Sequence, residues 1–482
     1  MTEVREQPEL SELLADIEAG PEGPEIGAFF DFDGTLIAGY SAEAWALDAL
    51  RRRKIDPQTM VRSLLAGLDM HLRGSDVTAL MEIAAELGKG RREEALIELG
   101  QRLFRERLAR TVYPEARAVV KAHQRQRHTL ALASSATNFQ AGPLAADLGI
   151  DHVLCTKLEV VDGRLTGRVA GPVLWGRNKA DAVAAFAADN GVKLAESYGY
   201  ANGDEDVEFL ETVGRARPLN PAPRLARVAA ERGWPIHRFE ARGRPGIVPV
   251  VRTAAALGGI AGTLGVGLGL GLLNRSRRTA VNYVATVAPE VALGLAGVEL
   301  GVRGEEHLWS ARPAVFVFNH QSSFDVIVIS RLLRRDFTAV AKAELAHDPR
   351  FAPLAALVGV SYVHRGDPAQ ARAALAPVVE KLRSGISLAI APEGTRSATP
   401  TLGPFKSGAF HIAVEAHVPV VPVVIRNAGE IMWRASLVAR PGTVDVAVLP
   451  PVPTEGLEPG DVDDLCGRIR SQFLDTLDDW PG

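Results

Sequence analysis

In the stretch Ala314–Ser330, AVFVFNHQSSFDVIVIS, His320 precedes Asp325 by five residues, and apolar β-forming runs lie on either side. Such runs predict a buried strand entering a turn and a buried element leaving it, so HQSSFD sits at the exposed edge of a core. The pair could be a catalytic dyad or part of a helix cap. Five residues on an ideal helix turn the chain by about 140°, so the two side chains could not share a helical face. The spacing therefore predicts a turn holding His320, a cap at Ser322 or Ser323, and Asp325 in the first turn of the next helix. From there a carboxylate can reach one imidazole nitrogen, fix its tautomer and leave the other nitrogen to take a proton from a hydroxyl. Capping alone would explain the serines and the acid, since acids favour first turns. It does not explain the histidine.

Further along, Arg365 follows an apolar strand in GVSYVHRGD, and Glu393, Gly394 and Arg396 follow another in APEGTRS. Lys406 stands in FKSG ahead of VPVVPVVI. Cationic groups after successive strands would line a pocket for a phosphate. A base beside Ser322 or Ser323 also describes a hydrolase, which keeps a nucleophilic serine as a rival. Near the other end of the chain, FFDFDGTL carries Asp31 and Asp33 at the end of an apolar strand. Residues two apart on a strand point to one side, and Gly34 allows a tight exit, so both carboxylates can enter one pocket. One could attack phosphorus while the other handles the leaving-group proton. A solvated acidic loop is the plainer alternative.

The elements that must position these groups are legible as alternating patterns. From Gly27 to Phe239, strand-like runs (Ala28–Phe32, Thr129–Ala133, His152–Cys155, Glu196–Ala201) alternate with helical stretches, which predicts an α/β domain with a parallel sheet. Residues 40–112 read as an inserted helical cap, and 242–252 as a linker rich in Arg, Gly and Pro. Thr253–Leu273 then runs for 21 residues without charge and with seven glycines. A helix of that length is about 30 Å long and matches a bilayer core, whereas glycines at roughly 1 kcal/mol each would weaken it in water. With Thr279–Leu300 it predicts a membrane-associated apolar hairpin over 253–300. A buried packing helix is the alternative. Two full crossings would put Arg275, Arg277 and Arg278 on the far side, against the positive-inside tendency, and a hairpin dipping into one leaflet avoids this. Strand and helix alternation resumes over 301–455, and 456–482 reads as a C-terminal helix.

Residues 28–239 resemble the haloacid-dehalogenase-like phosphatases, in the branch that includes phosphoserine phosphatase. Four motifs carry the resemblance: DFDGTL, ALASSATN, GRNKADAV and YANGDEDVEFL. It implies a Rossmann-like domain with a helical cap, Asp31 as nucleophile, Asp33 as acid/base, and Ser134 and Lys179 as phosphate binders. Mg²⁺ would be held by Asp31, Asp33, Asn202 and Asp206. An anionic nucleophile approaching an anionic phosphate needs such cations. The family commonly has a metal-binding Asp where Asn202 stands, and an amide oxygen brings less charge to a cation. From the apolar hairpin to Pro451 the chain resembles the 1-acylglycerol-3-phosphate acyltransferases, in the order Asn319–Asp325, Arg365, Pro392–Ser397 and Val418–Val424. That resemblance implies that His320 deprotonates the hydroxyl of lysophosphatidic acid, which attacks acyl-CoA or acyl-carrier protein. Asp325 would orient the base. Glu393, Gly394 and Thr395 would shape the acceptor site, and Arg365, Arg396 and Lys406 would bind phosphate. Together the two resemblances imply a bifunctional phospholipid-biosynthesis enzyme. An acyltransferase with a non-catalytic, ligand-binding phosphatase-like domain is the alternative.

Bulk properties agree with this class and exclude others. The chain has 482 residues and a formal net charge of −4, with eight acids among the first 25 residues and six arginines over 242–300. Basic residues are not interleaved with aromatics and two cysteines permit no zinc spacing, so no nucleic-acid partner is expected. Cys155 and Cys466 are expected to be free, reduced thiols of a cytosolic protein. The acidic N-terminus lacks the apolar core of a secretory signal. Leu10, Leu13, Leu14 and Ile17 predict a short amphipathic helix in the 1–26 segment, docked on the protein's own surface. The expected location is membrane-associated, with both catalytic domains on the cytoplasmic side.

Overall fold

The computed structural model describes residues 8–51, 77–239, 245–342, 360–363, 377–433 and 436–480. It forms two compact α/β units, Met1–Gly243 and Arg244–Gly482. The first is built on strands β1 (Gly27–Phe30), β2 (Thr129–Thr137), β3 (His152–Val161), β4 (Arg164–Ala170), β5 (Tyr198–Ala201) and β6 (Arg215–Pro218). Their order is β4-β3-β2-β1-β5-β6, parallel except for the β3–β4 pair. Strand β1, GAFF, is buried throughout, as a central strand covered on both faces must be. Phe30 pairs with Leu132 on one side and with Tyr200 on the other. That register brings Asp31, Ser134 and Asn202, each one or two residues beyond the paired level, to the same edge. Helices Ser41–Arg51, Thr78–Gly88 and Glu93–Leu103 form the described part of the expected cap.

Helix Pro8–Glu18 buries Leu13 and Ile17 and turns Asp16 to Arg217 at 2.6 Å, so it docks on its own unit. Beside it runs a chain of buried rings. His128 Nε2–H donates to Pro21 O, which leaves its Nδ1 to accept from His123 Nδ1–H, and His123 Nε2 accepts the Tyr200 hydroxyl, each at 2.7 Å. Only neutral rings satisfy this chain. Burial, then the neighbouring His128 and Arg217, holds the His123 pKa well below its ordinary value. Cys155 is free and buried, with its thiol pushed up to about 11 by burial, and Cys466 is also free.

The second unit contains β7 (Val298–Arg303), β8 (Val315–Phe318), β9 (Phe337–Lys342), β10 (Ser361–Val363), β11 (Ser387–Ile390), β12 (Val420–Arg426) and β13 (Gly442–Val448). The order is β10-β9-β11-β8-β12-β13-β7, and only the β12–β13 pair is antiparallel. On β8, Val315 and Val317 enter one core while Phe316 and Phe318 enter the other. Helix Asp325–Leu333 follows, and its C-terminal carbonyls are met by the Arg312 guanidinium, which reaches Leu333 O at 2.9 Å and Arg335 O at 2.7 Å. Helix Val462–Asp478 closes the chain over the second core, burying Leu465, Ile469 and Phe473.

The apolar hairpin consists of helices Ile247–Leu273 and Arg277–Ala296. The first starts at Ile247 rather than Thr253 and so takes in part of the expected linker. IVPVV is apolar, and Pro249 lies in the first turn, where a missing N–H costs no helical bond. The sheet likewise claims the residues after Gly297 as β7. The second helix is fastened to its unit along its length. Arg278 Nε donates to Asp336 at 2.8 Å, Asp336 N–H donates to the Asn282 amide oxygen at 3.1 Å, and Arg331 pairs with Glu290 at 2.5 Å. The apolar window of the first helix is only 17% buried, against 44% for the second.

The imidazole chain makes stability depend on pH. Unfolded histidines take up protons near their ordinary pKa of about 6.5, whereas folded His123 does not. Its contribution is therefore present above that pH and lost as pH falls below it. Urea unfolding of the detergent-solubilised protein should show a lower midpoint at about pH 5.5 than at about pH 7.5. The difference should shrink in His123→Asn; an undiminished difference would assign the pH sensitivity to other groups.

Candidate active sites

The first site forms at the edge shared by β1, β2 and β5. Lys179, in the first turn of helix Arg177–Asn190, points its buried ammonium at Asp31 Oδ1 (2.8 Å) and Asp206 Oδ1 (2.5 Å). Burial alone would depress Lys179, but the two carboxylates outweigh it and hold the ammonium charged, above its ordinary value. Burial pushes Asp206 up to about 7 despite Lys179. Thr35 Oγ lies 3.1 Å from Asp31 Oδ2 and 3.0 Å from the Asn202 amide oxygen. Ser134 is buried in β2, and its Oγ accepts the Ala136 N–H at 3.2 Å. Gly34 has φ +79°, and a Cβ there would meet Asn202 Nδ2 at 2.2 Å, so glycine is required both for the turn and for the amide's position.

Asp31 and Asp33 lie just past the end of β1 rather than within it, and their carboxylates have different partners. Ser41 engages both oxygens of Asp33, through its N–H at 2.7 Å and its hydroxyl at 3.0 Å. The Asp33 side chain is thus held apart from the Lys179 cluster, where Asp31 and Asp206 face each other across the ammonium. Burial first, with Asp31 adding, raises Asp33 to about 7. Tyr40, the residue before Ser41, is 63% exposed at this mouth. Thr35, Tyr40 and Ser41 were not singled out from sequence, although all three sit within the turn that DFDGT begins.

The residues fit a divalent cation. Asp206 Oδ2 is buried with no hydrogen-bond partner, and Lys179 joins Asp206 to Asp31 as Thr35 joins Asp31 to Asn202. Among the described residues no three His, Cys, Asp or Glu side chains converge.

The second site forms after β8 and β11. His320 Nδ1 lies 2.8 Å from Asp325 Oδ2, and the same oxygen accepts the N–H groups of Gln321 (2.8 Å) and Ser322 (2.9 Å). Asp325 is the first residue of its helix and is fully buried, so the carboxylate itself braces the turn that was expected to use a serine cap. With Nδ1–H given to Asp325, His320 Nε2 is the acceptor, on a side chain that is 22% exposed. Ser322 Oγ donates to Met432 O and accepts the Phe324 N–H, so it is not poised as a nucleophile. Asn319 is locked by two bonds to Ile425, N–H to amide oxygen at 2.7 Å and amide N–H to carbonyl at 2.8 Å.

Glu393 is buried and committed to the chain's own donors. It accepts the His320 N–H (2.8 Å), the Ser397 hydroxyl (2.5 Å) and the Gly403 N–H (2.9 Å). It therefore joins the PEGTRS loop to the His320 turn and leaves no oxygen directed at a substrate. Arg396 donates to the exposed Ser323 hydroxyl, beside the turn. Lys406 packs against Gly394, where a Cβ would lie 3.4 Å from its stem. Thr395 is exposed, and Arg365 lies outside the described residues.

A family model described as haloacid dehalogenase-like hydrolase matches residues 28–211, and one described as acyltransferase matches residues 299–426. Over 241 residues the chain is 32% identical to phosphoserine phosphatase SerB1 of Mycobacterium tuberculosis, covering 49% of this chain and 78% of that protein. The chain belongs to the haloacid dehalogenase-like hydrolases. Its second half carries an acyltransferase domain, 36% identical over 181 residues to 1-acyl-sn-glycerol-3-phosphate acyltransferase alpha of Homo sapiens, covering 37% of this chain and 64% of that one. The chain thus spans less than two thirds of the length of such acyltransferase relatives. The solved 1-acyl-sn-glycerophosphate acyltransferase of Thermotoga maritima aligns at 24% identity and a TM-score of 0.41, over 48% of this chain and 97% of its own.

Two substitutions test these arrangements. In the hydrolase domain, Asn202→Asp adds a carboxylate to the cation site and should tighten Mg²⁺ by about tenfold in titration calorimetry. Unchanged affinity would show that residue 202 is not a ligand. In the acyltransferase domain, Glu393→Gln puts a donor where three donors converge. It should lower kcat at least about tenfold with less than about a threefold change in acceptor KM. A KM effect alone would make Glu393 a substrate contact.

Proposed function

We propose that the chain is a bifunctional, membrane-associated enzyme that acylates 1-acylglycerol-3-phosphate and hydrolyses a phosphomonoester. The observation that carries the acyl-transfer reading is the His320–Asp325 pair at 2.8 Å with Nε2 left as the acceptor. Nε2 takes the proton of the acceptor's free hydroxyl as that oxygen attacks the carbonyl of acyl-CoA or acyl-carrier protein. The C–S bond breaks, the thiolate leaves and takes the proton held on His320 Nε2, and the product is phosphatidic acid. Asp325 holds the tautomer and offsets the imidazolium charge. Arg396 and Lys406 border the site as cationic partners for the acceptor's phosphate, with Arg365 proposed beside them.

In the hydrolase domain the proposed nucleophile is Asp31. Its Oδ attacks phosphorus, and Asp33, held by Ser41, supplies the proton to the leaving alcohol. Water then cleaves the aspartyl phosphate. Lys179 and the Ser134 hydroxyl bind the transferring group, lowering the repulsion between carboxylate and phosphate. Mg²⁺, when bound, would neutralise phosphate charge, and Asp31, Asp33, Asn202 and Asp206 are the residues proposed to hold it. Phosphoserine and glycerol or lipid phosphates are the substrate classes to compare.

Membrane association is supported by the bare first helix of the hairpin. The second helix, fixed through Arg278, Asn282 and Glu290, cannot be surrounded by lipid, which favours insertion into one leaflet over two crossings. Both domains would then share the cytoplasmic side.

Separate loss of the two activities is the test. His320→Ala should reduce acyl transfer by about a thousandfold or more and leave Mg²⁺-dependent phosphate release intact, and Asp31→Asn should do the reverse. Acyl transfer that survives His320→Ala would remove the assigned base. Phosphate release that is absent from the wild type across a panel of phosphoserine, glycerol phosphate and lysophospholipid would leave the first domain as a ligand-binding module.

A further inference from the structure

The segment between helix Ala428–Ile431 and β13 joins two distant parts of the acyltransferase unit. At one end Met432 O accepts the hydroxyl of Ser322, two residues from His320. At the other end the Ala439 N–H donates to Thr253 Oγ at 3.0 Å, on the bare apolar helix. The loop closes on itself through Arg440 N–H to Ile431 O at 2.8 Å, and Ile431 and Ala439 are both buried. Between these anchors Leu437 is 69% exposed. It is held outward by its neighbours: Ser436 N–H donates to Trp433 O at 2.8 Å, and the Val438 N–H donates to Ser436 Oγ at 3.0 Å. Two residues separate Leu437 from the contact with Thr253, whose helix leaves Ile247, Val248 and Val251 bare, Ile247 at 83%.

An exposed leucine on a braced loop is not itself a docking site. Here it adjoins a 27-residue apolar helix that also exposes Leu257, Val266, Leu268 and Leu272, so its apolar surface continues one whose length and composition suit lipid. We infer that the segment over residues 436–440 is a second membrane contact, inserting Leu437 into the leaflet beside the first helix, at the rim over which the lipid acceptor reaches His320. The inference rests on the acyltransferase reading. The Arg440 N–H bond to Ile431 O and the Ser322 bond to Met432 O tie the residues flanking that segment to the His320 turn.

Leu437→Asp, with Leu437→Phe as the conservative partner, tests this in the full-length protein reconstituted into phosphatidylcholine and phosphatidylglycerol vesicles. With long-chain lysophosphatidate in the vesicles, Leu437→Asp should raise apparent KM about tenfold with kcat within about twofold, and Leu437→Phe should restore it. With a water-soluble short-chain lysophosphatidate all three proteins should be equal. Equal impairment with both acceptors, or none with either, overturns the inference. An activity-independent measurement separates it from the functional reading: Leu437→Cys in a Cys466→Ser background, carrying an environment-sensitive fluorophore, should shift to the blue on vesicles and be quenched by brominated lipid. No shift overturns the membrane contact even if acyl transfer is normal. A shift with no acyl transfer would leave the contact standing while the acyltransferase reading fails.

Discussion

Asp325 Oδ2 is the atom on which the second unit's chemistry depends. It accepts three donors within 2.9 Å, two from the backbone of the turn and one from His320. Hydrogen bonds to a charged group contribute about 1.5–3 kcal/mol each, and a buried charge stripped of its partners costs more than that. The turn therefore has one low-energy shape, and the imidazole has one tautomer within it. Glu393 does the same from the opposite side, since it accepts the backbone N–H of His320 itself. His320 is positioned at its ring by one carboxylate and at its main chain by another. The first unit uses the opposite arrangement, one buried ammonium between two carboxylates. There the charge that must be satisfied is Lys179, and the acids are held by it.

The parallel sheets, the cap helices and the dyad's strand-turn-helix setting were legible in the sequence, because alternating patterns and local spacing determine them. Asp325 at the start of its helix follows from five-residue spacing alone. What was not legible depends on contacts remote in the chain. Glu393 was expected to shape the acceptor site, and how it could do so depends on Ser397, Gly403 and His320, the last 73 residues away. Asn319 was part of a motif, yet its function as a brace requires Ile425, 106 residues on. His123 and His128 belong to no spacing pattern that signals chemistry. Their role appears only when Tyr200 of β5 and Pro21 close the chain of rings from either end.

The glycine-rich helix shows how far composition can go. Seven glycines in an uncharged run suggested close packing or lipid, and each half of that alternative describes some of them. A Cβ at Gly259 or Gly267 would meet Val291 or Val284 of the second helix at 2.5 or 2.4 Å, so these glycines let the two helices approach. Gly258, Gly262, Gly265 and Gly269 have nothing within 4 Å and lie on another stripe of the same helix. No contact in the unit explains them. The start of the helix at Ile247 was missed because Pro249 reads as a breaker, although in a first turn it removes no intrahelical bond.

Asn202 has a physical logic beyond the loss of a ligand charge. An aspartate there would add a third carboxylate near Asp31, and repulsion would push their pKa values up in the absence of a cation. The amide lowers that repulsion, leaving two carboxylates against Lys179. It also resolves a conflict at Thr35, whose single hydroxyl proton faces both Asp31 Oδ2 and the Asn202 amide oxygen. With the amide turned, Nδ2 donates to the Thr35 oxygen while Thr35 donates to Asp31. An aspartate could not do this, having no donor to offer. The amide thus settles Thr35 and Asp31 Oδ2 between themselves, while Asp206 Oδ2 keeps no hydrogen-bond partner.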